Sequence, residues 1–112
     1  MTPETTKRLR DVRRTCAEIE AFTSDVDEPA FLSDRQLHLA IHKPLEIVAE
    51  ALNATYRSDP KLAGSIPDFR NFISLRNQIT HNYDGVNYRI VWRVAVQEVP
   101  QLKLYVDGLL RG

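Results

Sequence analysis

Apolar positions recur at helical spacing through almost the whole chain, and no stretch alternates as a half-buried strand would. Between about Thr5 and Ser24, the residues Leu9, Val12, Cys16, Ile19 and then Thr23 or Val26 step by three and four. That interval returns a side chain to one helix face, as in a bundle seam. Lys7, Arg8, Arg10, Arg13 and Arg14 fall largely off the seam and read as a solvated face rather than an RNA patch. Asp25-Val26-Asp27-Glu28-Pro29 closes this helix, and Pro29 can open a short turn through Phe31 and Leu32. Ser33-Asp34 is the N-cap signal of a second helix with Leu37, Ile41, Leu45, Val48 and Leu52 on its apolar face. Pro44 lies inside that pattern. It lacks an N–H and crowds the carbonyl of Ala40, so a kink or short break is expected there.

The segment 57–67 holds Asp59-Pro60, Gly64-Ser65 and Pro67 and reads as the clearest loop in the chain. A third helix is expected from near Pro67-Asp68. Its Phe69, Phe72, Ile73, Leu75 and Ile79 fall on one arc at about 100° per residue. The turn signal Asp84-Gly85 ends it. Beyond, Val91, Trp92 and Ala95 share one side. Pro100 either begins a new helical segment or kinks a continuing one, with Leu102, Tyr105 or Val106, and Leu109 facing inward. The expected fold is all-α: an antiparallel bundle of four to five helices with short connections, forming a single domain over residues 1–112.

Composition narrows the class. At 112 residues the chain suits one core, and 43% hydrophobic with 27% charged residues is an ordinary globular balance. No apolar run approaches the roughly 20 residues of a spanning helix, so no membrane is expected as a partner. Met1-Thr2-Pro3-Glu4 is polar, without a signal-peptide core. The single cysteine, Cys16, excludes an internal disulfide and reads as a small buried thiol. These features point to the cytoplasm. Net charge is zero, with 15 basic and 15 acidic residues, so a grip on nucleic acid by bulk charge is excluded. A local basic site is not. From Phe69 to Arg93 the basic residues are Arg70, Arg76, Arg89 and Arg93, and Asp84 is the lone acid.

One of those arginines is out of place. Arg76 projects into the middle of the apolar arc of the third helix. Burying a guanidinium unpaired is costly, so it needs a carboxylate, a second chain or a bound anion. His81 lies off the arc, on the flank shared with Asn77, and Tyr83 follows two residues later. An arginine that pairs inside a bundle and a histidine that ends a helix would account for each residue alone. Together, an always-cationic fork, a group that ordinarily titrates near neutrality and a phenol suit the chemistry of a phosphodiester. A second polar set, His38, His42, Glu46 and Glu50, steps by four along the second helix. It reads as a surface ladder rather than a metal site, because no second ligand-bearing helix accompanies it. No metal and no other cofactor is expected.

Arg76-x4-His81-x-Tyr83, with Asn77 directly after the arginine, resembles the R-x4-H-x-Y signature of HepT-like proteins in the HEPN superfamily of small helical ribonucleases. The likeness extends through Glu18 to Leu32, Leu45 to Ala51, Gly85-Val86, Val91-Trp92 and Val99-Pro100-x-Leu102. Pro44 departs from it, where an ordinary helix former is expected. So does His81-Asn82-Tyr83-Asp84, where glycine or a basic residue often separates histidine from tyrosine. Asp84 puts an acid close to the motif. The resemblance implies a HEPN-like fold and a metal-independent endoribonuclease that acts as the toxin of a toxin–antitoxin pair. It further implies a homodimer that brings two motif helices to one cleft. The implied partner is an MntA-like minimal nucleotidyltransferase antitoxin that modifies the motif tyrosine, here Tyr83. Arg76 and His81 are then the catalytic pair, with Asn77 and Tyr83 in support and RNA as substrate. The alternative is a non-catalytic helical module that partners a nucleotidyltransferase, with Arg76 holding the dimer together.

Overall fold

The two longest helices each begin on a side-chain cap that the sequence supplies. The computed structural model describes residues 1–112, except for the side chain of Tyr83. Thr2 accepts from the Thr5 N–H and Pro3 takes the first helical position, opening α1 (Pro3–Thr23). Asp27 accepts from Ala30 N–H and opens the short α2 (Glu28–Ser33). Asp34 accepts from Leu37 N–H and opens α3 (Arg35–Ser58). Pro44 sits buried within α3, and the helix runs through it without a break. Only the hydrogen bond that Ala40 would have received is missing. Burial of the proline ring against the core holds the helix together where sequence alone allowed an interruption.

The segment 57–67 is not a loop. α3 continues to Ser58, and Asp59 accepts from Leu62 N–H to start α4 (Pro60–Ser65). Asp59-Pro60 acts as a cap followed by a first-position proline, so the pair starts a helix as readily as it breaks one. Asp68, in the left-handed region at φ 60°, separates α4 from α5 (Phe69–His81). α5 stops at His81, short of the expected Asp84-Gly85, and a 3-10 turn spans Tyr83–Gly85. Asn87 then caps α6 (Tyr88–Arg93), which passes through a π-helical turn, Val94–Glu98, into α7 (Val99–Arg111). The apolar pattern across Pro100 is therefore one helical run with a widened turn just before the proline. A π-turn releases hydrogen bonds that a proline would otherwise break.

α1 packs against α3 and α7, while α3 also receives α4 and α5, and α2 lies against α6. The core is one cluster: Leu9, Val12, Cys16 and Ile19 from α1 meet Ile41, Leu45, Val48 and Leu52 from α3. Phe69, Phe72, Leu75 and Ile79 from α5 and Val91, Val94, Val99, Leu102 and Val106 close it. Among the described residues there is no strand, and no helix is long and apolar enough to cross a membrane. The fold is the expected all-α, HEPN-like bundle. Cys16 is fully buried there, and desolvation pushes its thiol up to about 12.

Candidate active site

The buried arc of α5 is Phe69, Phe72, Leu75 and Ile79, with Ile73 only half-buried. Arg76 accordingly lies at the margin of the core rather than at its centre. It faces α3, where its Nη2 donates to Glu50 Oε1 at 2.5 Å. The carboxylate that the guanidinium requires thus comes from the same chain. Its Nη1 makes a longer contact to Asn77 Oδ1 at 3.4 Å. Its Nε is shielded from solvent and has no partner among the described residues. A cleft of about 120 Å³ surrounds the pair, lined by Ala49, Glu50, Asn53, Ile73, Arg76 and Asn77. The Arg76 side chain is about one-third exposed and Glu50 about half. A water-exposed pair of this kind holds a geometry more than it adds stability, contributing on the order of 0–1 kcal/mol.

His81 is the last residue of α5 and is exposed, and among the described residues none hydrogen-bonds its ring. Five residues separate it from Arg76, which on a regular helix means about 140° of rotation and about 7.5 Å of rise. Within one chain the two groups therefore point to different sides of α5. Asn77, one turn before His81, shares its flank and touches Arg76, so it is the residue that links the two. Gly85 keeps the following turn tight: any Cβ there would fall inside the Asn82 side chain. The side chain of Tyr83, the remaining member of the sequence motif, lies outside the described residues.

The ladder on α3 is split by the fold. His38 is buried, and its Nε2 donates to the Phe31 carbonyl at 2.6 Å. A carbonyl oxygen can only accept, so that bond fixes the tautomer. The ring also stacks on Tyr88 at 3.7 Å between centroids. His42 shares a 2.9 Å hydrogen bond with the Tyr88 hydroxyl. Burial first, then Arg35 and His38, push the His42 pKa down. Both histidines belong to an aromatic corner of α2, α3 and α6 that also holds Phe31 and Trp92. Glu50 belongs to Arg76. Among the described residues no three metal-ligating side chains gather. The Arg76–Glu50 contact was not legible in sequence, since 26 residues separate the partners. Only the periodicity of α3, which turns Glu50 and Ala49 toward neighbouring helices, hints at it.

An all-α bundle with arginine and histidine five residues apart near the end of one helix is the architecture of small helical ribonucleases. A family model described as "Ribonuclease HepT-like" matches residues 12–109. The chain belongs to the HepT-like ribonuclease family. It is 30% identical over 95 residues to "Probable ribonuclease HepT" of Thermococcus cleftensis, covering 85% of this chain and 86% of that one. It is 26% identical over 99 residues to "Putative RNase MJ1380" of Methanocaldococcus jannaschii, covering 88% and 90% respectively. Against "Putative RNase TTE0752" of Caldanaerobacter subterraneus subsp. tengcongensis it is 31% identical over 81 residues, covering 72% and 71%. No solved structure gives a significant match.

Proposed function

We propose that this protein is a metal-independent endoribonuclease, the toxin of a toxin–antitoxin pair, with Arg76 and His81 as its catalytic residues. The observation that carries this reading is the partly exposed Arg76 guanidinium in an open cleft, with an exposed His81, unheld among the described residues, one helix-flank away. Arg76 can bind a non-bridging phosphate oxygen and stabilise the charge that grows during displacement at phosphorus. His81 can remove the proton of the ribose 2′-hydroxyl as the 2′-oxygen attacks, or donate a proton to the departing 5′-oxygen as the P–O5′ bond breaks. Asn77 orients the guanidinium. Because Arg76 and His81 diverge around α5, a two-fold homodimer that pairs two α5 helices is the arrangement that supplies acid, base and cation to one phosphate. Glu50 competes with that phosphate for Arg76 until substrate displaces it.

In this reading a minimal nucleotidyltransferase antitoxin modifies Tyr83 and switches the enzyme off. A nucleotidyl group there adds negative charge and bulk two residues from His81, where it can occupy the cation that substrate needs. The chain is expressed in a bacterial host alone and beside a nucleotidyltransferase from its own genomic neighbourhood, and growth and intact mass are followed. The expected result is growth arrest that the partner relieves, with a nucleotidyl mass added to wild type but not to Tyr83→Phe. Expression without harm, and no mass change at Tyr83, would count against the toxin reading and favour a binding module.

A further inference from the structure

A second cleft, also of about 120 Å³, lies on the other margin of α5, between that helix and the α6–π-turn segment. Asn71, Ser74 and Gln78 line it from α5, and Ile90, Arg93, Val94 and Glu98 from the facing run. Several of its polar groups have no partner among the described residues. Asn71 Nδ2 donates to Glu98 Oε1 at 2.9 Å, which aims the carboxylate. Glu98 Oε2 is shielded from solvent and has no partner among the described residues. A buried acceptor of that kind is costly to leave unmade and is normally met by a donor. Among the described residues, no hydrogen bond or ion pair engages the side chains of Ser74, Gln78 or Arg93. The cleft thus holds one oriented anionic acceptor, one cation and two neutral groups able to donate and accept.

Its position ties it to the candidate active site. Asn71, Ser74, Gln78 and His81 are spaced three, four and three apart and form one stripe within about 80° of the α5 surface. His81 is the next member of that stripe after Gln78, about 4.5 Å further along the axis. The π-turn carries Glu98 on the opposite wall, where it meets Asn71 of α5; such turns frequently mark functional positions.

From this arrangement we infer that the cleft between α5 and the π-turn is a base-recognition subsite for RNA, in which Glu98 Oε2 accepts from an exocyclic amino group. The inference rests on the ribonuclease reading above. A carboxylate facing a base edge takes an amino donor, as acidic side chains do with the cytosine N4 group, and repels a base that presents oxygen at that place. Arg93 holds the phosphate of the same nucleotide, and Gln78 reads the adjacent edge atom. The exposed side chain of Arg93 at the rim can swing outward toward that phosphate as the base enters, while Asn71 keeps its hold on Glu98. Adenine, cytosine and guanine qualify; uracil, which carries no amino group, does not.

The test uses the full chain with His81→Ala, which retains RNA without cutting it, and fluorescence anisotropy with labelled oligocytidine and oligouridine. The expected result is about tenfold tighter binding of oligocytidine, equivalent to one charge-assisted hydrogen bond. Adding Glu98→Ala should bring the ratio close to one, by weakening oligocytidine binding and relieving the repulsion of oligouridine. Arg93→Ala, at an exposed position, should weaken both oligonucleotides alike and lower the salt dependence by about one unit of slope. It serves as the second variant if Glu98→Ala does not fold. A cytidine preference that survives Glu98→Ala, or Arg93→Ala without effect, overturns the subsite while the nuclease reading stands. No binding of either oligonucleotide by the parent variant overturns both.

Discussion

At the residue scale, the proposed chemistry turns on what Arg76 and His81 are free to do. His81→Ala should abolish RNA cleavage and leave the melting temperature within about 1 °C, since an exposed side chain at a helix end, with no partner among the described residues, contributes little to the fold. Glu50→Gln removes the anion that occupies the Arg76 guanidinium. It should tighten RNA binding several-fold in a filter-binding assay and cost less than about 1 kcal/mol of stability, because the pair is water-exposed. Loss of RNA affinity in Glu50→Gln would mean that the carboxylate positions substrate rather than competing with it. Cys16 makes a quieter case. Its folded-state pKa is raised to about 12 by burial, so the native chain holds this proton more tightly than the unfolded one. Stability from this group is intact below the ordinary thiol range and is lost as pH climbs toward 12. Urea melts at pH 8, 9.5 and 11 should show that decline, and Cys16→Ala should flatten it.

At the element scale, the helices were legible because their apolar residues obey one period, and the Asp34 cap is chemically explicit. Thr2 and Asp27 also cap helices, but Thr2 lies ahead of the first apolar position and Asp27 sits in a run that reads as a helix end. Two features were less legible for physical reasons. Asp59-Pro60 carries a helix start inside a run of breakers, and nothing local decides between the two uses. The π-turn at Val94–Glu98 leaves a spacing defect that resembles a proline kink. Of the motif, sequence located Arg76, Asn77 and His81 on one helix. It set Arg76 in mid-stripe because Ile73 counts as apolar yet is only half-buried. It could not supply Glu50 or Glu98, whose partners lie across helix–helix interfaces. The α2–α3–α6 corner has its own pH response. His42 has a lowered pKa, so the unfolded chain binds its proton more readily, and stability falls as pH drops through the ordinary histidine range. Melts between pH 7.5 and 5 should show the loss, and His42→Gln should remove most of it. At the junction before α5, Asp68 holds a left-handed φ of 60°. Asp68→Gly is expected to raise the melting temperature slightly and Asp68→Ala to lower it.

At the scale of the whole molecule, the two sides of α5 carry different tasks. One margin presents Arg76 to a cleft against α3, and the other presents an unsatisfied polar cleft that leads along the helix to His81. A single chain keeps these apart; in the proposed homodimer, pairing of two chains through α5 would bring the cation of one to the histidine of the other. Mixing inactive Arg76→Ala and His81→Ala chains after mild unfolding and refolding together should then restore part of the activity, since the mixed dimer retains one of each group. Two separately inactive chains that stay inactive when mixed would argue for a site built within one protomer. Whether Arg76 and His81 cut RNA unaided by metal is decided by cleavage of a labelled unstructured RNA in EDTA, with purified wild type beside His81→Ala. Cleavage by wild type and none by His81→Ala is the predicted result; equal cleavage by both, or none by unmodified wild type, would contradict it.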